Sequence, residues 1–548
     1  MPSLLHRIAR AAEASRPVTL VVGDREEVTS WGELHQAAQG YAAALQARGV
    51  QPGDHVALLS PTTRQLVTAV QATWLAGATV VVLPLPMRLS SVEEFIAQTR
   101  QRIRRADARL VVADPDLAAF VTPEPGDPPM IGFAEVAAGN AARWQPPPDD
   151  PKRLAILQFT SGSTSDPKGV MIPARALLAN VDGIATVGGL DMDDDVLVSW
   201  LPLYHDMGLV GFLSLSMVWG NRLVLGSPQD FTSQPSRWME WISTYRGTIT
   251  AGPNFAYVLA TRALRRAERL DLSRLRMAIN GAEPLDPAQV EAFVEAGRRH
   301  GLRPGAVFPA FGMAEVALAG TFVEPMTGLR TDCVDRRVLE TERYAAPAEP
   351  GAPRSRRFPL LGRPLPGLEI RIVEPESGVV LGDREVGELE IRGSSVTPGY
   401  YRRPHVNAKL FRRGWLRTGD LGYTVDGELV VCGRIKDVII VGGRNVFPED
   451  VERAVGALDG IRAGNVIAFG VEGGRGREAL VVVAETKTDE LDPLRRQVAE
   501  RVREVVGVPA KDIVLVAPGT LPKTSSGKLQ RSLCKRRYVE GHLALVSA

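Results

Sequence analysis

Short β-branched segments alternate with helical segments through most of the chain, and this alternation restricts the possible folds more than any other feature of the sequence. Residues 78–83 (ATVVVL) are typical of a buried strand, and residues 110–113 of the next one. Residues 91–105 between them space their apolar side chains for one face of a helix. Strands that alternate with helices predict parallel sheets covered by helical layers, the α/β fold class.

The C-terminal part of the chain has a different order of elements. We expect helices at residues 448–458 and 493–506, and strands at residues 465–471, 479–485 and 512–517. Asp492 is a natural N-cap for the second helix, and Pro493 suits its first position. The sequence therefore predicts a compact α+β unit at this end.

The length of the chain requires more than one hydrophobic core. With 548 residues it exceeds the size at which single domains stop growing. The order of elements changes near residues 433–437 (GRIKD), so we place a boundary there. The prediction is a large N-terminal domain over residues 1–434, with layered α/β sheets and a small β-rich part, and a smaller α+β domain over residues 435–548.

Charge, cysteine spacing and hydropathy exclude several classes of protein. The 65 basic and 63 acidic side chains give a net charge of +2, so we expect no nucleic-acid partner. Cys333, Cys432 and Cys534 lack the paired spacing of a zinc site or a disulfide framework, which favours a cytoplasmic location. The most apolar run, residues 74–87, is shorter than the roughly 20 residues of a transmembrane helix. We therefore expect no transmembrane segment.

A loop rich in small hydrogen-bond donors leaves the predicted strand at residues 153–159. The stretch LQFTSGSTSDPKGVMIP, residues 157–173, combines hydroxyl side chains, glycines and a lysine. Such a loop can present backbone N–H groups and hydroxyls to phosphate oxygens. It fits neither the Walker pattern nor the G-x-G-x-x-G pattern, and alone it is equally compatible with a polar surface turn. The candidate phosphate-binding residues are Thr160, Ser161, Gly162, Ser163, Thr164 and Lys168.

Several short motifs follow one another along the chain in a fixed order. They are TSGSTSDPKG at residues 160–169, FGMAE at 311–315, TGDLGY at 418–423, GRIKD at 433–437 and PKTSSGKLQR at 522–531. In order and spacing this set resembles the adenylate-forming superfamily of acyl-CoA synthetases, luciferases, peptide-synthetase adenylation domains and fatty acyl-AMP ligases. The resemblance covers nearly the whole chain.

This resemblance implies a reaction that uses ATP. In the superfamily a carboxylate oxygen attacks the α-phosphorus, pyrophosphate leaves, and an acyl-adenylate remains. Two anions must meet, so catalysis consists largely of positioning and charge compensation. The resemblance implies ATP and Mg²⁺ as cofactors, with residues 160–168 on the β- and γ-phosphates and Glu315 on Mg²⁺.

The resemblance also implies a binding site for the adenosine part. Phe311 would stack on adenine, where relatives often have tyrosine, and the segment NGAEP at residues 280–284 would supply a second wall. Ala314 stands where many relatives have threonine, so one hydroxyl near the α-phosphate is missing. The candidate residues are Gly281, Ala282, Glu283, Phe311, Gly312, Met313 and Ala314.

Four charged residues complete the implied site. Asp420 would accept hydrogen bonds from the ribose hydroxyls, a task suited to an ionised carboxylate, and Arg434 would assist there. Lys528 would contact the acyl carboxylate and the α-phosphate. Lys436 occupies the hinge about which a mobile C-terminal domain would rotate. Without the resemblance, all four would be interpreted as turn residues or solvated charges.

The segment WLPLYHDMGLVG, residues 200–211, is similar to that of fatty acyl-AMP ligases. The resemblance places Trp200, His205, Asp206 and Met207 at the junction of the acyl tunnel and the nucleotide. His205 would lie near the reacting carboxylate and joins Lys528 and Glu315 as a candidate catalytic residue. Because that carboxylate is already ionised near pH 7, a packing or gating role is favoured for His205. Residues 212–218 either line the tunnel or belong to the core.

Two polar segments have less specific patterns. Residues 324–358 contain many Arg and Pro and no sustained period, although compact domains rarely keep loops longer than about 15 residues without a use. Fatty acyl-AMP ligases carry an insertion in this neighbourhood that is thought to restrain the C-terminal domain; a mobile surface loop is the alternative. The acidic run at residues 191–195 does not fit the EF-hand pattern and is predicted to be a solvated turn.

The sequence thus predicts a fatty acyl-AMP ligase. It would form acyl-AMP from ATP and a fatty acid and pass the acyl group to the phosphopantetheine of an acyl carrier protein of the polyketide or peptide synthase type. The first alternative is a fatty acyl-CoA synthetase that uses free CoA. A non-catalytic nucleotide- or acyl-binding protein is the second, and it has no need for both Glu315 and Lys528.

Overall fold

The computed structural model describes residues 2–85, 92–160, 167–441, 443–473, 478–524 and 527–543. Within these residues the strands are β1 (Pro17–Val22), β2 (Arg25–Ser30), β3 (His55–Leu59), β4 (Thr79–Val82), β5 (Ala108–Ala113), β6 (Met130–Gly132), β7 (Leu154–Phe159), β8 (Gly169–Pro173), β9 (Val196–Ser199), β10 (Arg222–Gly226), β11 (Ile249–Gly252), β12 (Met277–Asn280), β13 (Val307–Pro309), β14 (Phe311–Gly312), β15 (Ala319–Phe322), β16 (Thr331–Asp335), β17 (Ser355–Pro359), β18 (Arg363–Pro364), β19 (Leu368–Val373), β20 (Gly387–Gly393), β21 (Phe411–Arg412), β22 (Trp415–Val425), β23 (Glu428–Arg434), β24 (Ile439–Val441), β25 (Arg444–Val446), β26 (Ile461–Glu472), β27 (Glu478–Thr486) and β28 (Asp512–Val516).

The helices of the described residues are α1 (Leu4–Glu13), α2 (Trp31–Ala47), α3 (Arg64–Leu75), α4 (Val92–Arg105), α5 (Pro115–Ala118), α6 (Phe133–Ala137), α7 (Ala174–Val187), α8 (Asp206–Gly208), α9 (Leu215–Trp219), α10 (Pro228–Ser233), α11 (Ser236–Thr244), α12 (Asn254–Arg266), α13 (Pro287–Arg298), α14 (Arg336–Glu342), α15 (Pro404–Leu410), α16 (Pro448–Gly456), α17 (Leu491–Val506) and α18 (Arg531–Val539). A wider helical turn, Leu209–Ser214, joins α8 to α9. Among the described residues, no helix is both long and apolar enough to cross a membrane.

Two large sheets form the core of the N-terminal part. One contains β13, β12, β11, β9, β10, β1 and β2 in that order, and the other contains β6, β5, β3, β4, β7 and β8. The pairs β1–β2 and β7–β8, each at a sheet edge, are antiparallel, and the other neighbours are parallel. Strands β3, β4 and β9 are buried along their whole length, as expected for parallel strands covered on both faces. The predicted α/β class is confirmed.

A smaller antiparallel sheet follows in the sequence and forms the predicted β-rich part. It contains β19, β20, β22 and β21, and β23 pairs with β22. Asp420 on β22 lies opposite Arg434, the last residue of β23. A single helical turn, Ile435–Asp437, follows at once. The predicted domain boundary falls at this turn and stays a prediction.

The C-terminal residues form an α+β unit. Strands β26, β27 and β28 make one sheet, and its core includes Val451 of α16 and Val498 of α17. Helix α17 begins at Leu491 and not at Pro493, so the prediction that Asp492 is its N-cap is wrong. Leu491 is buried in this core, and its burial favours an earlier start of the helix than the local cap signal indicates.

Residues 324–358 are structured, which corrects the expectation of a segment without helix or strand. Strands β16 and β17 pair as an antiparallel ribbon, and α14 follows β16. Val334, Leu339 and Phe358 are buried together in one cluster. Each of the three elements has only five to seven residues, too few to give a periodic pattern in the sequence.

This ribbon also contacts the C-terminal unit. Arg356 of β17 forms an ion pair with Asp450 of α16 at 2.8 Å, and both side chains are buried. Arg444 forms an ion pair with Glu340 of α14, and Asn445 donates to the Glu340 carbonyl at 3.0 Å. These contacts link the segment to the unit that the resemblance says it restrains.

The acidic run at residues 191–195 is a turn, as predicted, but it is not wholly solvated. Asp195 is only 1% exposed. It forms an ion pair with Arg276 at 2.5 Å and accepts a hydrogen bond from the Thr248 hydroxyl at 2.7 Å. Burial raises the pKa of Asp195, but the hydrogen bonds from Arg276 and its neighbours bring the pKa below its usual value.

Candidate active site

A cleft of about 2200 Å³ lies where the two large sheets, the β-rich part and the C-terminal unit meet. It brings together residues that are hundreds of positions apart in the sequence. The predicted site residues that line it are Thr160, Lys168, His205, Asp206, Met207, Gly281, Ala282, Glu283, Phe311, Gly312, Met313, Ala314, Glu315, Asp420, Arg434, Lys436 and Lys528. Ser161, Gly162, Ser163 and Thr164 lie outside the described residues.

The predicted phosphate loop connects β7 to β8. Phe159 and Gly169 face each other in this antiparallel pair, and the Thr160 N–H donates to the Lys168 carbonyl at 3.0 Å. The ends of the loop are therefore held together at the cleft. The Lys168 ammonium lies 4.9 Å from the centre of the Tyr400 ring, within the range of a cation–π contact.

Tyr400 also contacts Glu315. Its hydroxyl donates to Glu315 Oε1 at 2.6 Å, and Glu315 is only 8% exposed. Burial raises the pKa of Glu315, which the hydrogen bond from Tyr400 and the charge of Arg434 oppose. Tyr400 thus connects the lysine of the phosphate loop to the predicted Mg²⁺ ligand. No role was predicted for Tyr400, although a tyrosine in the glycine-containing stretch PGYY is an available signal.

Asp420 and Arg434, the residues predicted to contact the ribose, lie together in the cleft. They pair across β22 and β23, with Arg434 Nε 2.9 Å from Asp420 Oδ1. Burial raises the pKa of Asp420, and Arg434 opposes this shift. Conversely, the Asp420 charge raises the pKa of Arg434. Two antiparallel strands therefore fix a carboxylate and a guanidinium at one edge of the cleft without the help of a loop.

The segment predicted to form a wall beside adenine, residues 280–284, has an unusual backbone. Ala282 has φ of 72°, a region that residues other than glycine rarely adopt. A Cβ added to Gly281 would lie 3.0 Å from the Ala310 carbonyl oxygen, so the chain passes close to the strand end at β13. Glu283 accepts a hydrogen bond from the Phe255 N–H at 2.7 Å, which fixes its carboxylate at the start of α12. Burial raises the pKa of Glu283.

Lys528 enters the cleft from the C-terminal unit. Its N–H donates to the Thr524 hydroxyl at 3.0 Å, and Gly527 before it has φ of 88°. A Cβ on Gly527 would lie 3.5 Å from the Phe255 ring, so this loop rests on α12. Burial lowers the pKa of Lys528, whereas the charges of Asp206 and Glu283 raise it.

His205 and Asp206 face the same space. His205 Nδ1 lies 2.6 Å from Asp206 Oδ1, and the Met207 N–H donates to Asp206 at 2.8 Å. Burial raises the pKa of Asp206, but His205 and Lys528 bring it below its usual value. Asp206 therefore stays ionised, and it is a charge partner for Lys528 before any substrate is bound.

An apolar branch extends from this point along one face of the larger sheet. Leu197, Ile249 and Met277 occupy neighbouring strands in register, since Ile249 pairs with both others. All three line the cleft, and Phe212 and Leu215 face it from the segment after α8. Residues 212–218 thus contribute both to the cleft lining and to the core, because Leu213, Met217 and Val218 are buried in the core and do not line the cleft. Their part in an acyl tunnel stays a prediction.

Trp200 is the predicted acyl-site residue that the described cleft does not include. It is 2% exposed and stacks on Phe231 with ring centres 3.8 Å apart. Phe255, which does line the cleft, has its ring centre 6.3 Å from that of Trp200. Trp200 therefore lies behind the wall, and the expectation of direct contact with substrate is corrected.

Arg531 is a site residue that the motif contained but to which no role was assigned. It contacts three carboxylates, with Nη1 2.8 Å from Asp437 and Nη2 3.3 and 3.0 Å from Glu449 and Glu452. Burial raises the pKa of Glu449 to about 7. The neighbouring Glu452 charge also raises this pKa, whereas the Arg531 charge lowers it. The cluster ties the Lys528 loop to the hinge turn and to α16.

Glu485 holds the other end of the same loop. It is wholly buried and accepts from the N–H groups of Gly519 and Leu521 at 2.9 and 3.1 Å. Arg462 donates to its second oxygen at 2.8 Å. No sequence signal indicates this role, since Glu485 stands at the end of an ordinary strand.

The comparisons with known proteins agree with this geometry. Residues 8–401 match the model of the AMP-binding enzyme family. The putative ligase Rv1013 of Mycobacterium tuberculosis is 41% identical over 92% of this chain and 93% of its own. The medium-chain-fatty-acid–[acyl-carrier-protein] ligase JamA of Moorena producens is 31% identical over 98% and 95%. A solved structure from a study of fatty acyl-adenylate ligases from E. coli and L. pneumophila has a TM-score of 0.92 and 32% identity, covering 99% of this chain and 98% of that chain.

Proposed function

The chain belongs to the AMP-binding enzyme family, and we propose that it activates a fatty acid as its acyl-adenylate and then transfers the acyl group to a carrier protein. The observation that carries this proposal is the cleft itself. Groups suited to ribose and phosphate and a branch lined by Leu197, Ile249 and Met277 open into the same space. An acid with an aliphatic chain and a nucleotide therefore fit side by side.

In the proposed reaction the fatty acid carboxylate attacks the α-phosphorus of ATP. One carboxylate oxygen bonds to phosphorus, and the bond to the pyrophosphate leaving group breaks. Lys528 offsets the repulsion between the two anions. At about 4 Å and an effective dielectric near 20, one charge contributes roughly 4 kcal/mol. Burial lowers the pKa of Lys528, and the charges of Asp206 and Glu283 oppose that shift.

The remaining predicted residues hold the nucleotide. Asp420 accepts from the ribose hydroxyls, Arg434 assists there, and Phe311 stacks on the adenine between the walls at residues 281–283 and 312–314. Thr160 and Lys168 bind the outer phosphates together with the loop between them. His205 packs at the junction between the carboxylate and the acyl branch, where a gating role suits it better than proton transfer.

Glu315 fits the predicted Mg²⁺ ligand. Mg²⁺ is usually bound by one or two carboxylates, substrate phosphates and waters, and not by an all-protein cage. Among the described residues no group of three or more His, Cys, Asp or Glu side chains could hold a metal ion, which agrees with a site of that kind. When bound, Mg²⁺ would neutralise part of the phosphate charge.

Two steps require two arrangements of the C-terminal unit. Lys528 must be at the cleft for adenylation, and the acceptor thiol must reach the same carbon afterwards. Lys436, in the turn after β23, is the proposed hinge for that exchange. The contacts of the 324–358 segment with α16 would limit this rotation. The limited rotation would disfavour acyl transfer to free CoA.

The test is an acceptor assay. Pyrophosphate release is measured with ATP and a panel of fatty acids, and thioester formation is then compared for CoA and for a phosphopantetheinylated acyl carrier protein. We expect pyrophosphate release that depends on the fatty acid, and thioester on the carrier protein only. Rapid thioester formation with CoA would make the protein a fatty acyl-CoA synthetase. A lack of pyrophosphate release with every acid would leave only a binding function.

A further inference from the structure

The cleft-facing side of α12 changes from apolar to basic along the helix. Phe255, Val258 and Leu259 line the cleft near its start, and Arg262 lines it near its end. Arg265 and Arg266 follow at the helical spacings that place side chains on neighbouring positions of one face. The wall of the cleft is therefore apolar inside and basic at the rim.

These arginines are exposed and not neutralised by the protein. Arg262, Arg265 and Arg266 are all exposed, and none of them makes an ion pair within the described part of the chain. Arg274, by comparison, is paired with Asp194. In a chain with a net charge of only +2, unpaired arginines on one helix end make a local positive surface. The one exposed acid within the next turn of chain is Glu268.

We call Arg262, Arg265 and Arg266 the basic rim. All three lie on α12 in the N-terminal part, so the proposed rotation of the C-terminal unit does not move them relative to the N-terminal wall of the cleft.

The basic rim stands at the outer end of a path to the reacting centre. Phe255 contacts the Lys528 loop at Gly527, and α12 rises about 1.5 Å per residue, so Arg266 lies roughly 16 Å along the axis from Phe255. A thiol at the end of a long, slender arm fits the apolar part of this path. The protein that carries the arm must then stay at the rim.

We propose that the basic rim docks an acidic surface of the carrier protein that accepts the acyl group. This inference rests on the proposed function, in which the thiol sulfur attacks the acyl carbon of the adenylate. A carbon–sulfur bond forms, the bond from the acyl carbon to the phosphate oxygen breaks, AMP leaves with the electron pair, and the thiol proton passes to solvent. The rim acts before this step, by holding the acceptor in place.

Charged residues at a rim act mainly on the rate of encounter. Complementary charges raise association rates about 10- to 1000-fold at low salt. The KM for the carrier protein is therefore the quantity that the basic rim controls. Formation of the adenylate, which involves no carrier protein, is independent of it.

The test compares two sets of charge reversals. Arg265→Glu/Arg266→Glu reverses the two rim arginines that do not line the cleft, and Arg496→Glu/Arg503→Glu reverses two exposed arginines on α17, which does not line it either. For the rim variant we expect the KM for a phosphopantetheinylated acyl carrier protein to rise about 10- to 100-fold. Pyrophosphate release and acyl transfer to pantetheine, which lacks the protein body, should be unchanged. The control variant should behave as the wild type.

Salt supplies a second readout. Raising the ionic strength from about 0.05 to 0.5 M shortens the screening length, so the wild-type KM for the carrier protein should rise and that of the rim variant should not. An unchanged KM in the rim variant, with transfer intact in the wild type, would overturn the docking proposal alone. If the rim variant lost binding to phosphatidylserine vesicles while its KM for the carrier protein stayed unchanged, the docking proposal would also be overturned. The basic rim would then be assigned to a membrane surface. A wild type that forms no acyl-adenylate would instead overturn the proposed function.

Discussion

The predicted ribose side of the cleft, formed by Asp420 and Arg434, and the loop that carries Lys528 are built in different ways. Asp420 and Arg434 face each other from neighbouring strands of one sheet, so backbone hydrogen bonds fix both side chains. Lys528 lies in a loop whose position depends on Arg531 at one end and Glu485 at the other. Substitutions at the ribose side should therefore act locally, whereas substitutions around the loop should act on Lys528 from a distance.

The largest effect is expected from Lys528→Ala. It removes the cation that faces both anions, and the loss of such a group typically costs about 10²- to 10³-fold in kcat. Fatty-acid-dependent pyrophosphate release should fall by that factor while the Kd for ATP stays within about twofold. Release at the wild-type rate in this variant would contradict the role of the lysine.

Asp420→Asn tests the predicted ribose side of the cleft. It keeps the shape of the side chain but loses the ionised acceptor, and hydrogen bonds to charged groups contribute about 1.5–3 kcal/mol. We expect the Kd for ATP, measured by calorimetry, to rise about 10- to 100-fold. An unaltered Kd would remove Asp420 from the ribose site.

Arg531→Lys asks whether the carboxylate cluster positions the Lys528 loop. Lysine keeps the charge but cannot contact several carboxylates with a planar fork. We expect kcat for pyrophosphate release to fall about tenfold, since small misplacements at a reacting centre are costly, with the Kd for ATP unchanged. Arg495→Lys, at an exposed pair with Asp492, is the matched control and should leave kcat unaltered.

Glu449→Gln tests the pH dependence of the same cluster. The folded-state pKa of Glu449, about 7, lies above its ordinary value of 4.5, so the folded protein binds the proton more tightly than the unfolded chain. Its contribution to the free energy of unfolding is therefore full below about pH 4.5 and is lost as the pH rises through 7. Urea unfolding between these pH values should show a decline that is smaller in the variant by on the order of 1 kcal/mol. Equal declines would show that Glu449 does not titrate in this range.

The smallest effect is expected from Trp200→Phe. The Trp200 indole N–H is buried and has no hydrogen-bond partner among the described residues, and its ring lies behind the cleft wall. Removing it should change pyrophosphate release by less than about twofold for every acid in the panel, because the aromatic stack on Phe231 is kept. A change in the preferred fatty acid would show that Trp200 does contribute to the acyl site.

The sequence predicted the site most reliably where chemistry requires particular residues in a short motif. Asp420, Arg434, Glu315 and Lys528 all reach the same cleft, as the ordered motifs indicated. Tyr400 and Glu485 were missed, because each acts by a contact with a residue more than thirty positions away. The stretch PGYY draws attention to Tyr400, and Glu485 stands at a strand end, but neither pattern indicates which distant residue is the partner.

The errors in the fold have the same origin. Asp492 has the chemistry of an N-cap, but the burial of Leu491 starts the helix earlier. The 324–358 segment lacks any period, yet a ribbon forms there and packs in a cluster that it shares with Tyr423 of β22 and Val430 of β23. In both cases a contact with distant residues outweighed the local preference, which is weak for any single position.

By itself the sequence determined the α/β class, the separate C-terminal α+β unit and the membership of the adenylate-forming superfamily. These follow from periodicity and motif order, which are properties of neighbouring residues. The tertiary structure alone decided that Trp200 stands behind the wall, that Tyr400 joins Lys168 to Glu315, and that the apolar and basic parts of α12 meet the cleft in that order. These arrangements depend on which side chains are in contact in the folded chain. Those contacts are set by the packing of the whole fold, which no short stretch of sequence determines.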